Sequence, residues 1–196
     1  MKKIVSTLFI ILVSFYAKVL AEDNNLIKRI SEGEENAKIT IITYESLTCS
    51  HCADFHKNVY PELKKDFIDK GLVKIEFRHF PLDIAAFNAS KIGQCNNDGN
   101  SDILHILFSD QKKWVKGKTP EEATQHLKKF LADKGITVDF EKCLGDKKIE
   151  DYVLNDRIEG VKKFKVNATP TIIINDKKFD KALNYKNIKK YLEKLI

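Results

Sequence analysis

Tyr44-Glu45-Ser46-Leu47-Thr48-Cys49-Ser50-His51-Cys52-Ala53-Asp54-Phe55-His56 is the stretch whose reading decides the fold. On its N-terminal side, residues 38–44 (Lys-Ile-Thr-Ile-Ile-Thr-Tyr) are rich in β-branched side chains and read as a buried strand. On its C-terminal side Phe55, Val59, Leu63, Phe67 and Ile68 recur at three- or four-residue intervals, which predicts a helix from Cys49 to Lys70. Pro61 should kink or break that helix, and Gly71 ends it. Cys49 therefore falls where a strand turns into a helix, among unpaired backbone N–H groups and at the positive end of the helix dipole. That environment favours the thiolate, the form that attacks disulfides. Cys52 follows one turn later, and His51 between them can donate a hydrogen bond or positive charge.

Three kinds of chemistry use such a pair. A structural disulfide is one, since exported chains accumulate staples. Zinc is a second, but it wants another ligand pair at comparable spacing, and the other cysteines, 95 and 143, are dispersed. Dithiol–disulfide exchange is the third and the one the placement favours, with no metal and no cofactor required.

Further along, residues 73–80 (Val-Lys-Ile-Glu-Phe-Arg-His-Phe) alternate as a second strand that Pro81 stops. From 83 to about 165 the pattern is helical, with candidate helices at 84–95, 101–116, 121–134, 139–144 and 147–164. Thr119-Pro120-Glu121-Glu122 reads as a capped helix start. Residues 171–175 are strand-like, Asn175-Asp176 a turn, 177–179 a short returning strand, and 185–196 a closing helix. The order β-α-β, helical block, β-β-α fits a sheet with helices packed on it.

Met1-Lys2-Lys3, the apolar run to Ala17, and Val19-Leu20-Ala21 before a polar stretch have the layout of a secretory signal peptide cleaved after Ala21. Its apolar run falls short of the ~20 residues that span a bilayer, so an uncleaved anchor is the weaker alternative. Taking Lys2, Lys3 and Lys18 from 34 basic residues leaves 31 against 28 acidic ones, a net charge of +3 instead of +6. The remaining lysines are interspersed with acids, so nucleic-acid binding, which calls for a concentrated basic stripe, is not expected.

Residues 44–56 resemble the active-site segment of the DsbA-like thioredoxin family, in which a strand runs into a C-x-H-C helix start. Val166-Asn-Ala-Thr-Pro-Thr-Ile-Ile-Ile-Asn175 is similar to the family's second signature, and Ala89-x5-Cys95 with residues 105–114 looks like its helical insertion. The resemblance spans roughly 37 to 196. It implies an α/β thioredoxin fold in residues 22–196 with a helical insertion at about 83–160, and periplasmic dithiol oxidation. It also implies that Cys49 is the nucleophile, Cys52 the buried resolving thiol and His51 a tuning residue. Pro170 would be a cis-proline facing the active site, and Thr169 would offer backbone contacts to a bound peptide. One position departs from the pattern: where relatives often hold a buried acid, six residues before the nucleophile, this chain has Thr43. Glu45 is two residues on, with the same strand parity, and the group that moves protons stays open.

Cys95 and Cys143 are expected to form a second disulfide on compartment grounds, two buried free thiols being the alternative. The expected partners are exported proteins with free cysteines and a DsbB-type membrane reoxidase, and the expected state is a monomer. Alternatives are a disulfide isomerase or reductase of the same fold, or a non-catalytic peptide- or metal-binding module. Thr169 keeps the isomerase reading open.

Overall fold

The computed structural model describes residues 26–196. The expected signal segment, residues 1–21, lies outside them. Five strands form one sheet in the order β1-β3-β2-β4-β5: β1 Ile30–Glu32, β2 Ile39–Glu45, β3 Val73–His79, β4 Thr171–Ile174 and β5 Lys177–Lys178. β2 and β3 are parallel, with Ile41 opposite Ile75 and Glu45 opposite His79, and the other pairs are antiparallel. The β2–β3 crossover carries α1 (Ser50–Asn58), α2 (Tyr60–Leu63) and a π-helical turn, Lys64–Ile68.

The expected helix 49–70 is thus three pieces. Pro61 explains the break: it lacks an N–H and is tolerated only in the first turn of a helix, where the structure puts it, at the start of α2.

Between β3 and β4 lie α3 (Ile84–Gln94), α4 (Asp102–Ser109), α5 (Gln111–Trp114), α6 (Pro120–Asp133), α7 (Phe140–Gly145) and α8 (Lys147–Phe164). The expected helix 101–116 divides at Asp110, whose backbone leaves the helical region. Thr119 caps α6 as expected, accepting a hydrogen bond from the Glu122 N–H at 3.2 Å. The Asn175-Asp176 turn has both residues at positive φ, as a tight hairpin of this hand requires. α9, Tyr185–Leu192, closes the chain four residues earlier than the periodicity implied.

β1 was not foreseen. Its three residues carry no alternation to read, and its place comes from pairing at the sheet edge, with Ile30 opposite Phe77.

The sheet is covered on both faces, which is why β2 is buried along almost its whole length. Ile39, Ile41, Ile75, Phe77, Ile172 and Ile174 belong to the larger core, shared with Phe55, Leu63, Phe108, Trp114 and Ile188 from the helices. Residues of the opposite parity, Ile42, Tyr44 and Ile173, pack with Phe80, Phe164 and Val166. Among the described residues no helix is long and apolar enough to cross a membrane.

Candidate active site

Cys49 is the N-cap of α1, in extended backbone at φ −79°, ψ 118°, and Ser50 is the first helical residue. Cys49 is partly exposed, whereas Cys52, one turn on, is fully buried. Both are free thiols in this structure. Their environments drive their acidities apart. A hydrogen bond from the Cys52 thiol, helped by the Thr169 side chain and then by the backbone N–H groups of Cys52 and His51, lowers Cys49 to about 5 against the opposing effect of burial. At pH 7 its thiolate outnumbers the thiol by about a hundredfold. Cys52 is pushed far up, by burial first, then by Cys49, then by the charge of Glu45. One sulfur is a ready nucleophile or leaving group. The other holds its proton.

The Thr169–Pro170 bond is cis, and Cys49 Sγ lies 3.4 Å from the Thr169 carbonyl oxygen, to which it donates in its thiol form. The fold thus brings together the two segments singled out in the sequence. His51 is exposed: its backbone N–H acts on the Cys49 sulfur, while its side chain lines a groove of about 480 Å³ with Thr169, Pro170, Leu183, Asn184 and Tyr185. The buried Thr169 hydroxyl makes no conventional hydrogen bond, yet the Thr169 side chain is among the groups that lower Cys49, so this residue acts on the sulfur through its side chain as well as its backbone.

Several supporting residues escaped the sequence reading. Gln111, buried at the start of α5, donates to the carbonyls of Leu47 and Cys49 at 2.9 and 3.0 Å and ties the active-site turn to the inserted helices. Asp83 caps α3 through the Ala86 N–H at 2.7 Å and accepts the Thr48 hydroxyl with its other oxygen, also at 2.7 Å. Neither residue sits in a recognisable motif; each is 34 or more positions from the segment it braces. Glu45, whose depth the sequence left open, is buried and bonded to His56 at 2.8 Å.

Cys95 and Cys143 form a disulfide joining the end of α3 to α7, Cα–Cα 5.5 Å. Among the described residues no group of three or more His, Cys, Asp or Glu side chains is arranged to hold a metal ion.

An N-cap cysteine, a buried partner one turn on and a cis-proline loop against the first sulfur are an arrangement suited to thiol–disulfide exchange on a thioredoxin-type fold. The thioredoxin family model matches residues 25–194. The structure of Wolbachia pipientis alpha-DsbA1 superposes with a TM-score of 0.76 at 30% identity, covering 87% of this chain and 92% of that one. Bacillus subtilis disulfide bond formation protein D is 28% identical over 179 residues, 83% of this chain and 74% of its own length. A Rickettsia bellii chain provisionally named a protein-disulfide oxidoreductase is 30% identical over 146 residues, 73% of this chain. The chain spans 55% of that relative, about half its length. The chain belongs to the thioredoxin family and is DsbA-like, with the thioredoxin fold and its helical insertion.

Proposed function

We propose that this protein is an exported oxidase that introduces disulfides into folding proteins, with residues 1–21 as its signal peptide and the periplasm as its compartment. The observation that carries the reading is the lowering of Cys49 to about 5. Stabilising the thiolate stabilises the reduced protein, and that makes the Cys49–Cys52 disulfide more oxidising. A substrate thiolate attacks Cys49 Sγ, the Cys49–Cys52 bond breaks, and Cys52 leaves and is protonated. A second substrate thiolate then attacks the substrate sulfur of the mixed disulfide and expels Cys49 as its thiolate, so the substrate is oxidised by two electrons and the protein reduced by two. The groove beside Thr169 and Pro170 is the place for the substrate peptide, in extended form. Reoxidation falls to a DsbB-type membrane partner.

The deciding measurement is the Cys49–Cys52 reduction potential against a glutathione buffer. The oxidase reading expects a value well above that of thioredoxin; a value near thioredoxin's overturns it in favour of a reductase.

A further inference from the structure

Beneath the active site four titratable side chains form one continuous hydrogen-bonded chain. Glu45 Oε2 lies 2.8 Å from His56 Nε2, His56 Nδ1 lies 3.0 Å from His105 Nδ1, and His105 Nε2 lies 2.6 Å from Glu32 Oε1. The inner members are closed off, with the Glu45 and His56 side chains each 3% exposed, whereas His105 is 25% exposed. Phe108 stacks on His56 with centroids 4.1 Å apart, and Tyr60 stacks on His105 at 4.5 Å, so both rings are held in place.

Counting protons along the chain is informative. Glu32 also accepts from Ser101 at 2.5 Å, Tyr60 at 2.6 Å and Lys64 at 2.9 Å. Although burial opposes it, those bonds and the one from His105 hold Glu32 well below the usual carboxylate range. A carboxylate only accepts, so His105 Nε2 carries a hydrogen. The central Nδ1–Nδ1 bond needs one more, and the bond to Glu45 a third. Three hydrogens over this chain leave Glu45 two states that satisfy every bond. In one the two rings hold all three and Glu45 is ionised. In the other Glu45 is the neutral acid and each ring keeps one hydrogen, His56 on Nδ1 and His105 on Nε2. A proton can therefore pass between the ring pair and Glu45 without any bond being lost.

The inner end of the chain is unfinished. Glu45 Oε1 is buried with no hydrogen-bond partner among the described residues, and the charge of Glu45 acts on Cys52. The other charged and titratable groups facing the network are His79 on β3, opposite Glu45 in the sheet, with Asp156 and Arg29 beyond it. At the outer end are Tyr60, Lys64, Asp69 and Asp102.

We infer that Glu45, His56 and His105 form a proton relay between solvent and the Cys52 thiol. When exchange expels Cys52 as a thiolate, Glu45 gives it a proton, refilled through His56 from His105 and then from solvent. When reduced protein is reoxidised, the Cys52 thiol gives that proton back to the Glu45 carboxylate as its sulfur attacks the mixed disulfide at Cys49. This rests on exchange at Cys49–Cys52 but not on the direction of electron flow.

Oxidised glutathione tests it in two resolved steps. The Cys49 thiolate attacks first, forming the Cys49–glutathione disulfide and releasing one glutathione thiolate. Cys52 then loses its proton and expels the second. In Glu45→Gln, which keeps the shape and an acceptor for His56 but cannot shuttle protons, the first step should be unchanged. The mixed disulfide should decay about 10²-fold more slowly near pH 7, at the low end of general acid–base effects, with the deficit closing as hydroxide takes over at high pH. His105→Gln, at the partly exposed end, should slow the same step by a smaller factor and serves if Glu45→Gln does not fold. The sign separates a relay from charge alone, because removing the Glu45 charge would ease Cys52 ionisation and speed the decay. Decay as fast as wild type or faster in both variants overturns the relay. A wild-type protein that forms no mixed disulfide overturns the exchange chemistry itself, and the relay with it.

Discussion

Cys49 Sγ lies 3.4 Å from the carbonyl oxygen of Thr169, a residue 120 positions away in the chain. The contact uses backbone on the Thr169 side, and the threonine hydroxyl beside it is buried and unpaired. A buried hydroxyl without a partner costs about 1–3 kcal/mol relative to an apolar group of the same shape. Thr169→Val should therefore leave thermal stability unchanged or raise it by a few degrees. Exchange activity should persist, because the carbonyl remains, but Cys49 should titrate higher, because the Thr169 side chain helps to lower it. Calorimetry and an insulin-reduction assay check both halves. Lost activity in a stable variant would mean the hydroxyl itself acts on substrate.

The opposed cysteine acidities give a pH signature. Cys49, ordinarily near 9.0 and lowered to about 5 in the fold, stabilises the reduced protein fully above pH 9. That contribution declines as pH falls from 9 and is gone below about 5. Cys52 is raised, so its protonated form carries no penalty below pH 9 and counts against the fold above it. Neither thiol exists in the oxidised protein. The reduced form should thus gain stability over the oxidised form as pH rises from 5 towards 9, in paired denaturant titrations. Thiolate absorbance should titrate near 5 and vanish in Cys49→Ser. A flat difference across that window would contradict the cause assigned to the low value.

The two sulfurs should also separate kinetically. Cys49→Ser removes the nucleophile and should abolish exchange, whereas Cys52→Ser removes the resolving thiol and should accumulate mixed disulfides on Cys49. Mass spectrometry after incubation with a disulfide-containing substrate such as oxidised glutathione, whose S–S bond the Cys49 thiolate opens with release of one thiolate, detects the trapped species. Wild-type activity in both variants would sink the assignment.

What could be read in advance followed range. β2, α1 and α8 declare themselves because β-branched runs and 3.6-residue spacing are local properties of the chain. The Cys49–Cys52 pair and Thr169-Pro170 were visible as motifs, and the fold supplied only their meeting. β1 is invisible because three residues at a sheet edge carry no period. Gln111 and Glu32 were hidden for a different reason. Their roles are made by contacts across 62 to 73 positions, to Cys49 and to His105, and nothing in their neighbours announces a partner. Glu45 stood between these cases: parity placed it on the same face as Thr43, but only the packing of His56 against it established its depth.

Tyr44 and Gly160 set a packing constraint. A Cβ on Gly160 would stand 2.8 Å from Tyr44 Cε1, and the ring is fully buried against Phe80 and Phe164. Gly160→Ala should destabilise the fold by about 1–3 kcal/mol through overpacking, despite the better helix propensity of alanine. Cys49 should titrate as before, since the strain falls on the face of the sheet where α8 lies.

The second disulfide is predicted to add stability without setting the reactivity of the first. Closing a loop of 48 residues is worth up to about 4 kcal/mol in the chain-entropy model. The same junction of α3, α7 and α8 is held independently: Lys91, 3% exposed, donates to the Leu144 carbonyl at 2.5 Å and pairs with Glu150 at 2.8 Å. A Cys95→Ala/Cys143→Ala protein should therefore fold, with a midpoint lowered by up to that amount, and Cys49 should still titrate near 5. Adding Lys91→Met should cost more in that background than in the wild type, because the two restraints share one joint. Equal costs in both backgrounds would show that the lysine and the disulfide brace the insertion separately.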